Sequence, residues 1–243
     1  MIWTPPTAPF DATVRVKVDA TRAILTRAAQ THASIALASS LQPEDQVLTH
    51  LIAADVLPIA IFALDTGRLH EETVALIGAT EARYGRVIEI YRPDPTRVAA
   101  YVASDGENGF YDSVESRLSC CAIRKVEPLG RALAGRTAWI TGQRRDQASS
   151  RAALAVEEAD PAHGIVKFNP LADWTLADVW AFARAHDVPL NPLALRGYPS
   201  IGCEPCTRAI RVGEDVRAGR WWWETQDSKE CGLHVAERVE VSA

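Results

Sequence analysis

The apolar positions of the first hundred residues change period in a regular order. Residues 11–32 scatter apolar side chains among Arg, Lys and Asp and read as one or two helices. Residues 33–38 are a short apolar run suited to a buried strand. The run stops at Ser39-Ser40-Leu41-Gln42-Pro43-Glu44-Asp45, where Pro43 and the two acids open a helix striped by Val47, Leu48, Leu51 and Ile52. The cycle then repeats. A second apolar strand at 57–64 ends in Asp65-Thr66-Gly67-Arg68, a helix covers about 70–84, and a third strand at 86–91 stops at Arg92-Pro93-Asp94-Pro95. Strands alternating with helices imply crossover connections, hence an α/β fold with a mostly parallel twisted sheet flanked by helices.

The second half is less regular. A turn-rich loop at 105–109 precedes a helical stretch at 111–133, with a break expected near Cys120. A fourth strand at 137–142 runs into Gln143-Arg144-Arg145-Asp146-Gln147. Residues 165–171 read as extended and 175–186 as helical, and 189–206 are Pro- and Gly-rich loop. No internal repeat or low-complexity segment is present. Three strand ends carry polar loops: Ser39 to Asp45, Asp65 to Arg68, and Gly142 to Arg145. Ligands of open α/β sheets bind beyond the carboxyl ends of the strands, so these loops are expected to line one crevice. The arginines after the fourth strand call for a counter-anion there.

At 243 residues the chain fits one large domain with a full core, or two small ones. Its 47% hydrophobic and 23% charged content is that of an ordinary soluble protein. The longest apolar run, 57–64, is far short of the roughly 20 residues that span a bilayer. The first residues lack a basic segment followed by an apolar one, so no secretory signal is read there. A cytoplasmic, reducing location is expected, in which cysteines serve as metal ligands or redox groups rather than disulfides. A net charge of −5 weighs against nucleic acid as partner, but not against a small anion held by locally gathered arginines.

The cysteines sharpen the picture. They fall as Cys120-Cys121, Cys203-Glu204-Pro205-Cys206 and a lone Cys231. Four can hold one metal centre, which leaves a free thiol. Neighbouring residues on a helix point about 100° apart, so adjacent thiolates suit the spread corners of a cubane better than one small ion. A distorted zinc site or a redox pair remains open by spacing. Arg124 and Lys125 stand four residues after Cys120 and Cys121, one helical turn away, where cations would offset thiolate charge. Lys229 and His234 favour a thiolate at Cys231, and Glu230 opposes it. Trp221-Trp222-Trp223 would anchor the segment between Arg217, Arg220 and that thiol.

Together these residues resemble the assimilatory sulfonucleotide (PAPS/APS) reductases, in particular the iron–sulfur adenylyl-sulfate (APS) reductases. The similarity runs from about Ser39 to His234. It rests on Leu64-Asp-Thr-Gly-Arg-Leu69, Cys120-Cys121-Ala-Ile-Arg-Lys-Val-Glu-Pro128, Trp139-Ile-Thr-Gly-Gln-Arg-Arg-Asp146, Lys167-Phe-Asn-Pro-Leu171, Gly202-Cys-Glu-Pro-Cys-Thr-Arg208, Gly219-Arg-Trp-Trp-Trp-Glu224 and Lys229-Glu-Cys-Gly-Leu-His234. The resemblance implies an ATP-pyrophosphatase-like (adenine nucleotide alpha-hydrolase-like) fold; one domain is expected over 1–223, with a tail at 224–243 that carries Cys231 and, as a chain end, is expected to be mobile. It implies a 4Fe-4S cluster on Cys120, Cys121, Cys203 and Cys206, and Cys231 as nucleophile. It implies thioredoxin as reductant, sulfite and AMP as products, and a homo-oligomer. Read with the expected crevice, it makes Ser39, Ser40, Asp65, Thr66, Gly67, Arg68, Lys125, Gly142, Arg144, Arg145, Arg217, Arg220 and His234 the candidate substrate-binding residues. One departure is the loop after the first strand, where relatives usually carry a small glycine-containing turn and this chain has Leu41-Gln42. Other readings are a reductase for the 3′-phosphorylated nucleotide, an adenylating ATP-pyrophosphatase, which would want glycines in that loop, and a non-enzymatic redox sensor.

Overall fold

The computed structural model describes residues 1–148 and 151–225. Its centre is β1 (Ile35–Ser39), which pairs in parallel with β2 (Ala60–Leu64) on one side and β4 (Ala138–Ile140) on the other. β3 (Glu89–Tyr91) adds to β2 and β6 (Ile165–Phe168) to β4, both in parallel. β5 (Glu157–Asp160) closes the far edge antiparallel to β6, giving the order β3-β2-β1-β4-β6-β5. Alternate side chains of the strands feed two cores. Ile35, Leu37, Ala138 and Ile140 pack with α1 (Ala12–Thr31), α2 (Pro43–Ala54), α3 (Glu71–Tyr84) and α7 (Leu176–Ala185). Ala36, Phe62 and Trp139 face the other way, onto Leu129, Ala132 and Leu133 of α6 (Glu127–Leu133). Among the described residues no helix is long and apolar enough to cross a membrane.

Successive chain segments leave β1 in opposite directions, to β2 first and later to β4. That reversal places the loops after β1, β2 and β4 around one crevice. The expected strands and helices of the first ninety residues are present, and α1 is a single 20-residue helix. Two elements went unread. α4 (Pro95–Asp105) opens on Asp94, which caps Thr96 N; Val98, Tyr101 and Val102 share one face, but Tyr101 is its one fully buried residue. β5 is a polar edge strand, Glu-Glu-Ala-Asp, and edge strands need no apolar alternation.

The expected break at Cys120 is absent. α5 (Val114–Cys121) passes into a π-helical turn, Ala122–Val126, and then into α6. Pro128 accounts for the widening: it has no N–H to give the Arg124 carbonyl, and its ring would press on that carbonyl in an α-helix. The packed body reaches at least to Glu224, one residue beyond the expected domain end, because Glu224 is buried against Arg117 of α5.

Candidate active site

A cavity of about 250 Å³ lies at the carboxyl ends of β1, β2 and β4. Ser39, Ser40, Thr66 and Gly142 supply the strand-end wall, and Phe62, Leu64, Leu129 and Trp139 an apolar wall. Lys125, Arg217, Arg220 and Cys203 close the remaining side.

The β1–α2 loop is held by its own side chains. The Ser40 N–H and hydroxyl both donate to Asp45 Oδ2, at 2.7 and 2.5 Å, and Leu41 N donates to Ser39 Oγ at 3.2 Å. Leu41, at the point where relatives were expected to carry glycine, adopts the left-handed conformation with φ 61° and is buried. Such a backbone is costly for leucine, and the surrounding bonds and packing hold it. Gln42 then clamps the loop to the opposite wall. Its carboxamide donates to Ile201 O at 3.0 Å and accepts from Ile201 N at 3.1 Å, two residues before Cys203.

The counter-anion expected for the arginines after β4 is in the chain itself. Arg144 is buried and donates through Nε and Nη2 to Glu44 Oε1, at 3.0 and 2.9 Å, and through Nη1 to Asp146 at 3.0 Å. Glu44 and Asp45, read from sequence as helix-opening acids, are buried on the cavity wall. Burial raises the Asp45 carboxyl to about 6, with the Glu44 charge adding and bonds from Ser40 and Gly142 opposing. Gly142 packs so closely on Asp45 and Glu44 that a Cβ there would collide with both.

Four expected residues are turned elsewhere. Arg145 donates to Leu154 O at 2.8 Å and pairs with Asp173. Asp65 accepts from Gly67 N and from Arg92, each at 3.0 Å, closing the turn after β2. Gly67 therefore serves that turn, at φ 70°. Arg68 binds Glu107 and Asn108 and lies along a neighbouring recess. Cys231 and His234 fall outside the described residues.

That recess is the meeting place of Cys120, Cys121, Cys203 and Cys206. Cys121, Cys203 and Cys206 are buried and Cys120 is half-buried. Thr66 Oγ1 lies 3.2 Å from Cys203 Sγ, and Arg124 donates to Thr66 O at 2.8 Å and hydrogen-bonds Cys120. Lys125 lines both the recess and the larger cavity. Both cations are buried. Burial pushes Cys120 up against the opposing Arg124 charge, and burial with the neighbouring Cys203 drives Cys206 to about 12. Burial raises Cys203 as well, but Lys125, the Thr66 hydroxyl, Arg220 and Arg124 outweigh it and leave that thiol below its ordinary value. Among the described residues no three His, Cys, Asp or Glu side chains close on a single-ion point. Four sulfurs spread around a recess, with cations beside them, fit a thiolate-bound group larger than one ion.

A further contact escaped the sequence. Arg117 of α5 and Glu224 form a buried two-pronged ion pair, Nε to Oε1 and Nη2 to Oε2, both at 2.8 Å. The guanidinium lies 4.7 Å over the Trp221 ring. The residues are 107 apart in sequence, and no local pattern announces the pairing.

The phosphoadenosine phosphosulfate reductase domain family matches residues 34–209, which hold the three cavity loops and both cysteine pairs. The chain belongs to this family. It is 58% identical over 227 residues to the adenosine 5′-phosphosulfate reductase of Burkholderia cepacia, covering 93% of this chain and 91% of that protein. Against the adenosine 5′-phosphosulfate reductase of Allochromatium vinosum identity is 59% over 204 residues, covering 84% and 80%. Among solved structures, the phosphoadenylyl-sulfate reductase of Candida auris superposes with a TM-score of 0.68 at 24% identity, over 84% of this chain and all of that one. FMN adenylyltransferase of Candida glabrata superposes at 0.60 with 16% identity, over 98% and 82%. At those identities the structures speak for the fold alone, a mostly parallel α/β sheet of the adenine nucleotide alpha-hydrolase-like kind.

Proposed function

We propose that this protein reduces adenylyl sulfate to sulfite and AMP, as an oxidoreductase of assimilatory sulfate reduction and cysteine biosynthesis. The observation that carries the reading is Lys125. It joins a strand-end cavity of the kind that holds nucleotides to the recess of four cysteines, in a chain of the reductase family. Cys231 would attack the sulfur of the substrate as a thiolate. The S–O bond to phosphate breaks, AMP leaves with that electron pair, and an S-sulfocysteine remains. A thiolate of an external dithiol, a thioredoxin, then attacks Cys231 Sγ and expels sulfite, and its second thiol resolves the mixed disulfide. No base needs to activate water. The chain must instead hold one anion while another approaches, and Lys125, Arg217 and Arg220 face the cavity for that purpose. A 4Fe-4S cluster on Cys120, Cys121, Cys203 and Cys206 would supply a fixed charge beside Lys125 and tie the two loops together. Glu44 and Asp45 favour adenylyl sulfate over its 3′-phosphorylated form, since a further phosphate would meet buried carboxylates on this wall. We place the reaction in the cytoplasm, in a homo-oligomer.

The test is sulfite release with each nucleotide in the presence of thioredoxin, together with mass spectrometry of protein mixed with adenylyl sulfate alone. One sulfite-equivalent is expected on the peptide containing Cys231, with Cys231→Ser giving none. Lys125→Ala should slow adduct formation roughly 10²-fold, the usual effect of deleting one preorganised contact to developing charge. An adduct on another cysteine, or turnover by the serine variant, would overturn the assignment.

A further inference from the structure

Gln42 begins α2 but its side chain does not serve that helix. It stands at the N-cap, where a short polar side chain usually accepts from the first turn, and it makes no capping bond. It reaches instead to a residue 159 positions away. The carboxamide donates to Ile201 O and accepts from Ile201 N, as a neighbouring strand would. Leu41, just before it, keeps its left-handed backbone at φ 61°, a cost that persists only where the surroundings enforce it. Gly202, next along the opposite wall, is tied by its N–H to Thr207 Oγ1 at 3.0 Å. Against Gly202 lies the Arg220 guanidinium, so closely that a Cβ there would fall 2.6 Å from Nη2 and 2.7 Å from Cζ. Arg220 Nη1 donates to Ser200 Oγ at 3.3 Å and to Ile201 O at 3.5 Å, and the guanidinium lies 4.6 Å over the Trp221 ring. Gln42 and Arg220 therefore meet on one carbonyl, that of Ile201.

We infer that Gln42 is a positioning residue: it fixes the Ile201-Gly202 backbone as the platform on which Arg220 rests, and so aims that cation at the anionic end of the nucleotide. This rests on the proposed function, which makes the cavity a sulfonucleotide site. Arg220 lines the cavity on the side of Lys125 and Cys203, where the anion is to be held. An arginine side chain has much rotamer freedom to lose, and a cation already aimed when the ligand arrives loses none of it then. Glycine at 202 lets the guanidinium come close to the peptide. A backbone without a side chain is also freer to shift. The carboxamide removes that freedom next door, by holding the Ile201 N–H and C=O at once.

The experiment is a double-mutant cycle in Cys231→Ser, in which adenylyl sulfate stays intact. Adenylyl sulfate is titrated calorimetrically into that protein and into its Gln42→Met, Arg220→Met and doubly substituted forms, with thermal unfolding confirming that each is folded. Gln42→Met is expected to weaken binding about tenfold, and to cost nothing further in the Arg220→Met background, because the two act through one contact. A role in stability alone leaves affinity unchanged or gives losses that add, and either result overturns the inference. Gln42→Glu and Arg220→Gln take the same places in the cycle if a methionine variant does not fold. Gln42→Glu also gives a pH profile. Its carboxylate keeps an acceptor for Ile201 N but has no donor for Ile201 O, whereas the protonated carboxyl offers both. Its affinity relative to Cys231→Ser should be low at neutral pH and recover in acid, and a flat ratio overturns the inference as well. If Cys231→Ser binds no adenylyl sulfate, the cavity's assignment falls and this inference with it; measurable binding with additive losses sinks this inference alone.

Discussion

Asp45 is a carboxyl whose environment works against its charge. Its folded value is about 6 against 3.8 for the free side chain, burial being the main cause and Glu44 the lesser one. Between about pH 4 and 6 the folded protein holds a proton that the unfolded chain releases. The stability this group contributes is therefore full below pH 4 and is lost as pH rises through 6. Asp45→Asn should become more stable relative to wild type as pH rises from 4 to 7, by up to about 3 kcal/mol at 1.36 kcal/mol per pKa unit. Urea denaturation at both pH values measures it, and parallel curves for the two proteins would refute it. The comparison with wild type matters because His50 slopes the other way. Burial, His186, Arg83 and Arg22 lower it to about 4, so the stability it gives is lost as pH falls from 6.5 to 4. Neither residue was legible as a titrating group in the sequence. Pro43-Glu44-Asp45 was read correctly as a helix start, but a first-turn acid is normally solvated. Its burial depends on Gly142 and Arg144, about a hundred residues on.

Elements were legible where an apolar pattern had to be buried, as in β1, β2, α2 and α3. They were missed where burial was slight, as in α4 and β5, and the π turn needed the cause at Pro128 to be taken together with the cysteines before it. The join between α5 and the tryptophan run was out of reach of any periodic argument, because it is made by one ion pair, Arg117–Glu224, exposed by only 1% and 3%. Removing one member of such a pair leaves a buried charge alone, at a cost of about 3–5 kcal/mol. Glu224→Gln and Arg117→Met should each lose stability on that scale, and the double variant Arg117→Met/Glu224→Gln should lose clearly less than the two losses added. Denaturant melts of the four proteins form the cycle, and simple additivity would mean that the pair is not coupled.

At the scale of the molecule, one recess brings the end of α5 together with the Cys203–Cys206 segment, whose nearest cysteines, Cys121 and Cys203, are 203 − 121 = 82 residues apart. A group bound by all four closes that chain segment, and opening it returns the entropy of a long loop. Cys203→Ser is expected to remove visible absorbance and lower Tm by several degrees, whereas Cys231→Ser should change neither; iron and sulfide analysis with differential scanning calorimetry would show it, and zinc without sulfide would contradict it. The cysteine spacing marked out the four thiols that line one recess, whereas the outward turn of Arg145 and Arg68 depends on carboxylates that no motif names. The margins of the sheet bear on how copies of the molecule can meet. One is β3, three residues long, and the other is β5, whose sequence is Glu-Glu-Ala-Asp. A three-residue ribbon gives an incoming strand little to zip onto, and a row of acids repels its own twin. Extension of the native sheet from one molecule into the next is therefore disfavoured at both margins.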